Sequence, residues 1–155
     1  VTGWKIGWVC APEPLLRHVN TVKQFLTYPH PPAMQQAVAY ALGNEMAWVA
    51  SLRLSLATAR DRLADGLERV GMLVTRPQGT YFIQADIRPL GTADGNAFAR
   101  RLPYDAGVVG VPTSVFCDSA AGDPFVRFAF CKRPEVIDEA VQRLARFAAT
   151  VAPSS

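Results

Sequence analysis

The sequence predicts an α/β fold, and three features of its hydrophobic pattern indicate this class. Residues 4–10 alternate apolar positions with small or polar ones, which is typical of a strand. Apolar residues then recur at helical spacing as far as Gly71. Beyond that glycine, short apolar runs separated by turn residues predict strands mixed with helices. The chain has 155 residues, of which 50% are hydrophobic, so it is long enough to bury a substantial core.

The first third of the chain is predicted to hold one strand and two helices. Pro12 and Pro14 end the strand of residues 4–10, because proline lacks the amide hydrogen that a sheet requires. A first helix follows and continues to the proline-rich break at residues 28–32. A second helix covers residues 33–42.

A long third helix is predicted from Asn44, which can cap its start, to Gly71, which can end it. At about 26 residues it would span ~39 Å. Such a helix could connect two lobes or lie across a single core, and the pattern leaves both interpretations open.

The remaining residues are predicted to form strands and two more helices. The strands correspond to the apolar runs MLVT, YFIQADI, VVGV and FVRFAFC. A short helix is expected around residues 97–102. An amphipathic helix with an apolar stripe from Ile137 to Val151 closes the fold.

The charge distribution argues against nucleic-acid and membrane partners. The chain carries 16 Lys and Arg against 13 Asp and Glu, a net charge of +3, and the basic residues are scattered rather than clustered. No run approaches the ~20 apolar residues that a membrane helix needs, and no leader pattern opens the sequence. We therefore expect neither nucleic acid nor membrane as a partner.

Cysteine and histidine usage predicts a cytoplasmic protein without a metal site. Cys10, Cys117 and Cys131 are odd in number and widely separated, so neither a disulfide framework nor a zinc ribbon is indicated. His18 and His30 have no second ligand at metal spacing. The glycines form neither a dinucleotide-binding motif nor a P-loop.

Lys5 is a basic residue within an otherwise apolar predicted strand. Gly3 and Gly7 flank it on the same face, which leaves bare backbone beside the ammonium group. The position could therefore hold a phosphate. An edge-strand lysine that discourages sheet aggregation is an equally good interpretation.

Arg127 is a second cation within an apolar strand, FVRFAFC, where it shares a face with Phe125, Ala129 and Cys131. Burying a guanidinium costs several kcal/mol unless a fork-shaped acceptor pairs with it, and a carboxylate has that shape. The acceptor could be an internal Asp or Glu, or the carboxylate of a substrate. The periodicity does not choose between them.

Four motifs taken together resemble the carboxy-terminal half of a class I pyridoxal-phosphate aminotransferase of fold type I. They are VTGWKIGWV, GTYFIQADI, VVGVPTSVF and VRFAFCK, in this order along essentially all 155 residues. The resemblance is strongest to the kynurenine, methionine and N-succinyldiaminopimelate aminotransferase group. One departure is Thr113, which stands where the family often has glycine.

The resemblance implies an architecture and a division into domains. Residues 1–43 would be the last strand and helices of the large domain that binds the cofactor. Residues 44–70 would be the long connecting helix, and residues 71–155 a small α+β carboxy-terminal domain.

The resemblance also implies roles for three residues. Lys5 matches the basic residue that contacts the phosphate of pyridoxal 5′-phosphate, and Arg127 matches the arginine that holds the α-carboxylate of the substrate. Tyr28 lies in a segment that reaches toward the neighbouring subunit's active site in the family's dimers. The lysine that forms the Schiff base would lie ahead of Val1. No catalytic residue is therefore expected here, and the fragment alone is expected to be inactive.

The implied reaction is transfer of an amino group between an α-amino acid and a 2-oxo acid, catalysed by a cytoplasmic homodimer. Two alternatives stay open at this point. One is a cysteine-conjugate β-lyase of the same fold, and the other is a non-catalytic aminotransferase-like effector module of a transcription regulator.

Overall fold

A computed structural model describes residues 3–151, and this range contains five α-helices and four short strands. Residues up to Ser51 form one compact unit, and residues from Leu52 onward form a second. Within the described range, no helix is both long and apolar enough to cross a membrane. The predicted mixture of helices and strands is confirmed.

The first unit consists of helices. Helix α1 spans Glu13–Leu26, α2 spans Pro32–Asn44, and α3 begins at Met46 and continues to Val70 in the second unit. Prolines stand in the first turn of α1 and α2. Backbone N–H groups in the first turn have no acceptor within the helix, so the N–H that proline lacks costs no helical hydrogen bond there. The three helices that the apolar spacing predicted are therefore confirmed.

Two details predicted for the first unit are wrong. Residues 4–10 form no strand: a turn at residues 3–5 leads into irregular backbone, and Lys5 has φ of +53°, outside the region that strands use. No strand in the described part of the chain runs beside this segment to complete a hydrogen-bond ladder. Asn44 does not cap α3, because its side-chain amide donates to the Tyr40 carbonyl, 2.8 Å away, at the end of α2.

The second unit packs helices against an antiparallel sheet with strand order β1-β2-β4-β3. Its elements after α3 are β1 (Leu73–Thr75), β2 (Phe82–Asp86), α4 (Gly95–Asp105), β3 (Val111–Pro112), β4 (Phe125–Ala129) and α5 (Pro134–Val151). Of the predicted strand VVGV, only Val111 lies in a strand, β3. Gly110, just before β3, lies so close to β4 that an added Cβ would stand 2.6 Å from a Val126 methyl group.

Alternating burial along β2 and β4 positions the core. In β4, Val126 and Phe128 are buried while the other three residues are half-buried, as the sequence alternation predicts. The buried cluster of the second unit also draws on α3, β2, α4 and α5, and includes Leu63, Leu67, Ile83, Ala85, Phe98, Leu102, Ile137, Leu144 and Phe147. Arg127 lies on the opposite face of β4, away from this cluster.

Candidate functional site

Arg127 lies at the centre of β4 on the face turned away from the core. In the sheet register it stands opposite Gln84 of β2 and Val111 of β3. The side chain is half-buried, and its strand neighbours Val126 and Phe128 point into the core. The facing predicted for Arg127 is therefore confirmed.

Two aromatic rings pack against the guanidinium of Arg127. Its central carbon lies 4.0 Å from the ring centroid of Phe82 and 4.3 Å from that of Phe116. Phe82 belongs to β2 on one side of β4, and Phe116 follows β3 on the other side. A cation this close to two ring faces is stabilised by each, by about 0.5–2 kcal/mol depending on its exposure to water.

Arg127 has no acidic partner in the part of the chain that the structure describes. Its Nε is buried and makes no hydrogen bond. Nine salt bridges occur between described residues, and none of them includes Arg127. A buried donor without an acceptor costs about 1–3 kcal/mol. Of the two acceptors considered for Arg127, an Asp or Glu among these residues is excluded.

The carboxylate on the neighbouring strand is held by a different arginine. Asp86 at the end of β2 is buried and accepts hydrogen bonds from the backbone N–H of Arg88 at 2.9 Å and from its Nε at 3.0 Å. These hydrogen bonds hold the pKa of Asp86 below its usual range, although burial acts in the opposite direction. Asp86 is thus committed to Arg88.

A loop with two short 3₁₀ turns, Thr113–Phe116 and Ala120–Gly122, supplies Phe116. Asn96 of α4 donates to the Ser114 hydroxyl at 2.8 Å and fixes the first turn. An added Cβ on Gly122 would lie 2.9 Å from the Ser114 backbone, so the two turns are in close contact. The Thr113 hydroxyl is buried and, like Arg127 Nε, has no partner.

Lys5 lies in the first unit, in the turn at residues 3–5. It is exposed, and no hydrogen bond or ion pair involving it occurs within the described range. Gly3 and Gly7 have open space where a Cβ would be. The common strand face on which we placed these three residues does not form. An accessible cation beside two glycines is nevertheless present.

Tyr28 also lies in the first unit, two residues after the end of α1. Its backbone is in the left-handed region, with φ of +56°, and its N–H donates to the Lys23 carbonyl at 3.2 Å. Lys23 Nζ in turn donates to the Tyr28 carbonyl at 3.0 Å. The helix end thus fixes the backbone of Tyr28, while 74% of the residue stays exposed.

Other candidate chemistry finds no support between residues 3 and 151. No group of three or more metal-ligating side chains occurs there, and all three cysteines are free and exposed. Trp4 and Trp8 are both exposed. Arg127 with its two rings therefore remains the candidate site in this range.

The two rings that contact Arg127 are not among the site residues that the sequence predicted. The alternation of β2 could have identified Phe82 as a neighbour of Arg127. Phe82 shares a face of β2 with Gln84, and Gln84 stands opposite Arg127, so Phe82 lies diagonal to Arg127 across the sheet. No comparable local signal exists for Phe116, because a loop fold brings it to Arg127.

Comparisons with known proteins identify the family of the chain. The sequence profile described as aminotransferase class I and II matches residues 1–144. A protein of Mycobacterium tuberculosis described as a probable N-succinyldiaminopimelate aminotransferase is 49% identical over 92% of this chain. A kynurenine–oxoglutarate transaminase 3 of Rattus norvegicus is 35% identical over 90% of it.

A solved structure agrees with these sequence matches. The N-succinyldiaminopimelate aminotransferase of Mycobacterium tuberculosis superposes with a TM-score of 0.86 and 50% identity over 94% of this chain. The chain spans only 38% of the length of that structure, and 38% and 35% of the two relatives. The profile match over residues 1–144 places the chain in the class I and II aminotransferase family.

Proposed function

We propose that the chain is the carboxy-terminal part of an aminotransferase that moves an amino group between an α-amino acid and a 2-oxo acid. Enzymes of this family depend on pyridoxal 5′-phosphate. The observation that carries the proposal is the half-buried guanidinium of Arg127, which packs against two rings and has no acidic partner among the described residues. A substrate carboxylate would supply the missing negative charge.

Arg127 would bind the α-carboxylate through two parallel N–H···O bonds. Because the guanidinium is planar, such a pair fixes the orientation of the carboxylate as well as its position. Once the carboxylate is fixed, the α-carbon can rotate only about its single bond to the carboxylate carbon. Arg127 would thereby orient the Cα–H bond for proton removal without itself taking part in bond breaking.

Lys5 would contact the phosphate of the cofactor. Its ammonium group is exposed, lacks an acidic partner in the described range and stands between glycines that leave open space, so it fits a phosphate. When bound, the cofactor supplies an electron-withdrawing ring that makes the α-proton of the amino acid removable. Tyr28, exposed at the end of α1, would reach toward the active site of a second subunit.

The proposal extends to the setting of the enzyme. We infer a cytoplasmic homodimer in which residues 1–43 belong to the large domain, 44–70 to the connecting helix and 71–155 to the small domain. N-succinyldiaminopimelate is the amino donor to test first, because the relative at 49% identity is described as acting on it.

The experiment replaces Arg127 by Lys in the full-length enzyme. Lysine keeps the charge but loses the planar fork, so we expect KM to rise and kcat/KM to fall about thirtyfold, or ~2 kcal/mol. Arg101→Lys is the control, since Arg101 pairs with Asp105 on an exposed face of α4 and should leave the kinetics unchanged. Wild-type kinetics for Arg127→Lys would refute the role of Arg127.

A further inference from the structure

We propose that Phe116 is a positioning residue for the substrate carboxylate, because with Phe82 it leaves only the edge of the Arg127 guanidinium open to an anion. The inference rests on the proposed function, in which Arg127 binds that carboxylate. It adds a residue of the 113–116 turn to the binding site and assigns it a measurable effect on affinity.

The sheet brings the two rings to Arg127 from different sides. Strand β4 lies between β2, which carries Phe82, and β3, which leads directly into the turn that carries Phe116. The ring centroids lie 4.0 and 4.3 Å from the guanidinium carbon. At these distances water and ligands are kept from the faces that the rings cover.

The covered faces determine how an anion can approach. Nε is already buried, so the accessible donors are those on the outer edge of the guanidinium. A planar carboxylate can form two parallel hydrogen bonds along that edge. The rings also restrict rotation of the arginine side chain, so less conformational entropy is lost when the carboxylate binds.

Phe116 is held in place although it adds little to the core. It is 60% exposed, and so is its neighbour Val115. The hydrogen bond from Asn96 to Ser114 and the close packing of Gly122 fix the turn in which both residues lie. Because the ring of Phe116 is exposed and adds little to the core, its fixed position is explained by its contact with the guanidinium of Arg127, which has no acidic partner among the described residues.

The experiment compares Phe116→Leu with Val115→Ala in the full-length enzyme. Without the ring we expect KM for the amino acid and for the 2-oxo acid to rise about tenfold, with kcat within about twofold of wild type. The reason is that the ring contributes equally to ground-state and transition-state binding. The dissociation constant of 2-oxoglutarate, measured by calorimetry, should rise by the same factor.

Two further variants separate the ring from the fold. Phe116→Tyr keeps the aromatic face at a residue that is 60% exposed, so it should retain the wild-type KM. Phe116→Met keeps apolar bulk without an aromatic face and should behave like Phe116→Leu, which covers the case in which the leucine variant folds poorly. Val115→Ala, equally exposed on the same turn, should match wild type.

The outcomes distinguish this inference from the proposed function. Equal KM and dissociation constants for Phe116→Leu, Phe116→Met and Val115→Ala would overturn the positioning role. If Arg127→Lys is impaired in the same assays, the proposed function would stand even though the positioning role of Phe116 had failed. Conversely, weaker 2-oxoglutarate binding in Phe116→Leu, in a protein that transfers no amino group, would support the positioning role and refute the proposed function.

Discussion

Two arginines of the second unit differ in what balances their charge. Arg88 is 61% exposed at its side chain and binds the buried carboxylate of Asp86. Arg127 is half-buried and has two aromatic rings instead of a carboxylate. The charge of Arg88 is therefore balanced by a carboxylate of the chain, whereas the guanidinium of Arg127 has no carboxylate partner among the described residues.

Replacing Asp86 by Asn should destabilise the protein by about 2 kcal/mol at neutral pH, because a charge-assisted pair is lost at a buried position. The exposure of Arg88 to solvent limits the loss. The control is Asp105→Asn, which removes a half-exposed helix pair with Arg101 and should cost less than about 0.5 kcal/mol. Urea denaturation measures both, and equal losses would contradict the assignment.

The same pair predicts a pH dependence. The pKa of Asp86 is lowered in the folded state, chiefly by hydrogen bonds from the Arg88 side chain. Its contribution to stability is therefore complete above the unfolded pKa of about 4 and is lost as the pH falls through the folded pKa. The difference in unfolding free energy between wild type and Asp86→Asn should shrink below about pH 4. A difference that stays constant down to pH 2 would refute this explanation.

At the scale of elements, α3 and α5 approach each other closely near Gly66. A Cβ added to Gly66 would overlap a methyl group of Val141. One turn earlier, Arg62 of α3 makes two hydrogen bonds with Asp138 of α5, at 2.6 and 2.8 Å. Glycine in a helix interior lowers helix stability. At residue 66 the close contact with α5 leaves no room for a larger side chain, which accounts for the glycine.

Gly66→Ala should therefore destabilise the protein by about 1–2 kcal/mol, although alanine is the better helix former. The matched control is Gly43→Ala in α2, where an added Cβ has no neighbour within 4 Å and should stabilise by about 0.5–1 kcal/mol. Adding Val141→Ala to Gly66→Ala should recover part of the loss. Thermal denaturation of the three variants tests the contact, and additive losses in the double variant would argue against it.

The elements that the sequence predicted correctly are those whose pattern is local. Helix α3, from Met46 to Val70, follows from a long apolar stripe, and the facing of Arg127 follows from alternation along β4. Residues 4–10 have the same alternation but no neighbouring strand in the described range, and alternation alone cannot provide one. The contact of Phe116 with Arg127 depends on the loop fold, so no periodicity could predict it.

At the scale of the whole molecule, the two units differ in how much of their apolar surface is buried. In the first unit α1 has no buried residue, and α2 buries only Val38. Large apolar side chains there are exposed, among them Trp8, Phe25, Leu26 and Trp48. In the second unit the apolar residues of α5 and of strands β2 and β4 form a closed cluster. Because burial stabilises helices more than helix propensity does, the units should differ in local stability.

Hydrogen exchange of the 155-residue chain measures this difference. Helix α1 has 14 residues and no buried side chain, so its amides should exchange within about tenfold of the unprotected rate. Helix α5, which packs on the core through Ile137, Leu144 and Phe147, should exchange at least about a hundredfold more slowly. Equal protection of the two helices would mean that another surface covers α1 in solution. Repeating the measurement at tenfold lower protein concentration would identify self-association as the cause, because protection supplied by a second copy falls with dilution.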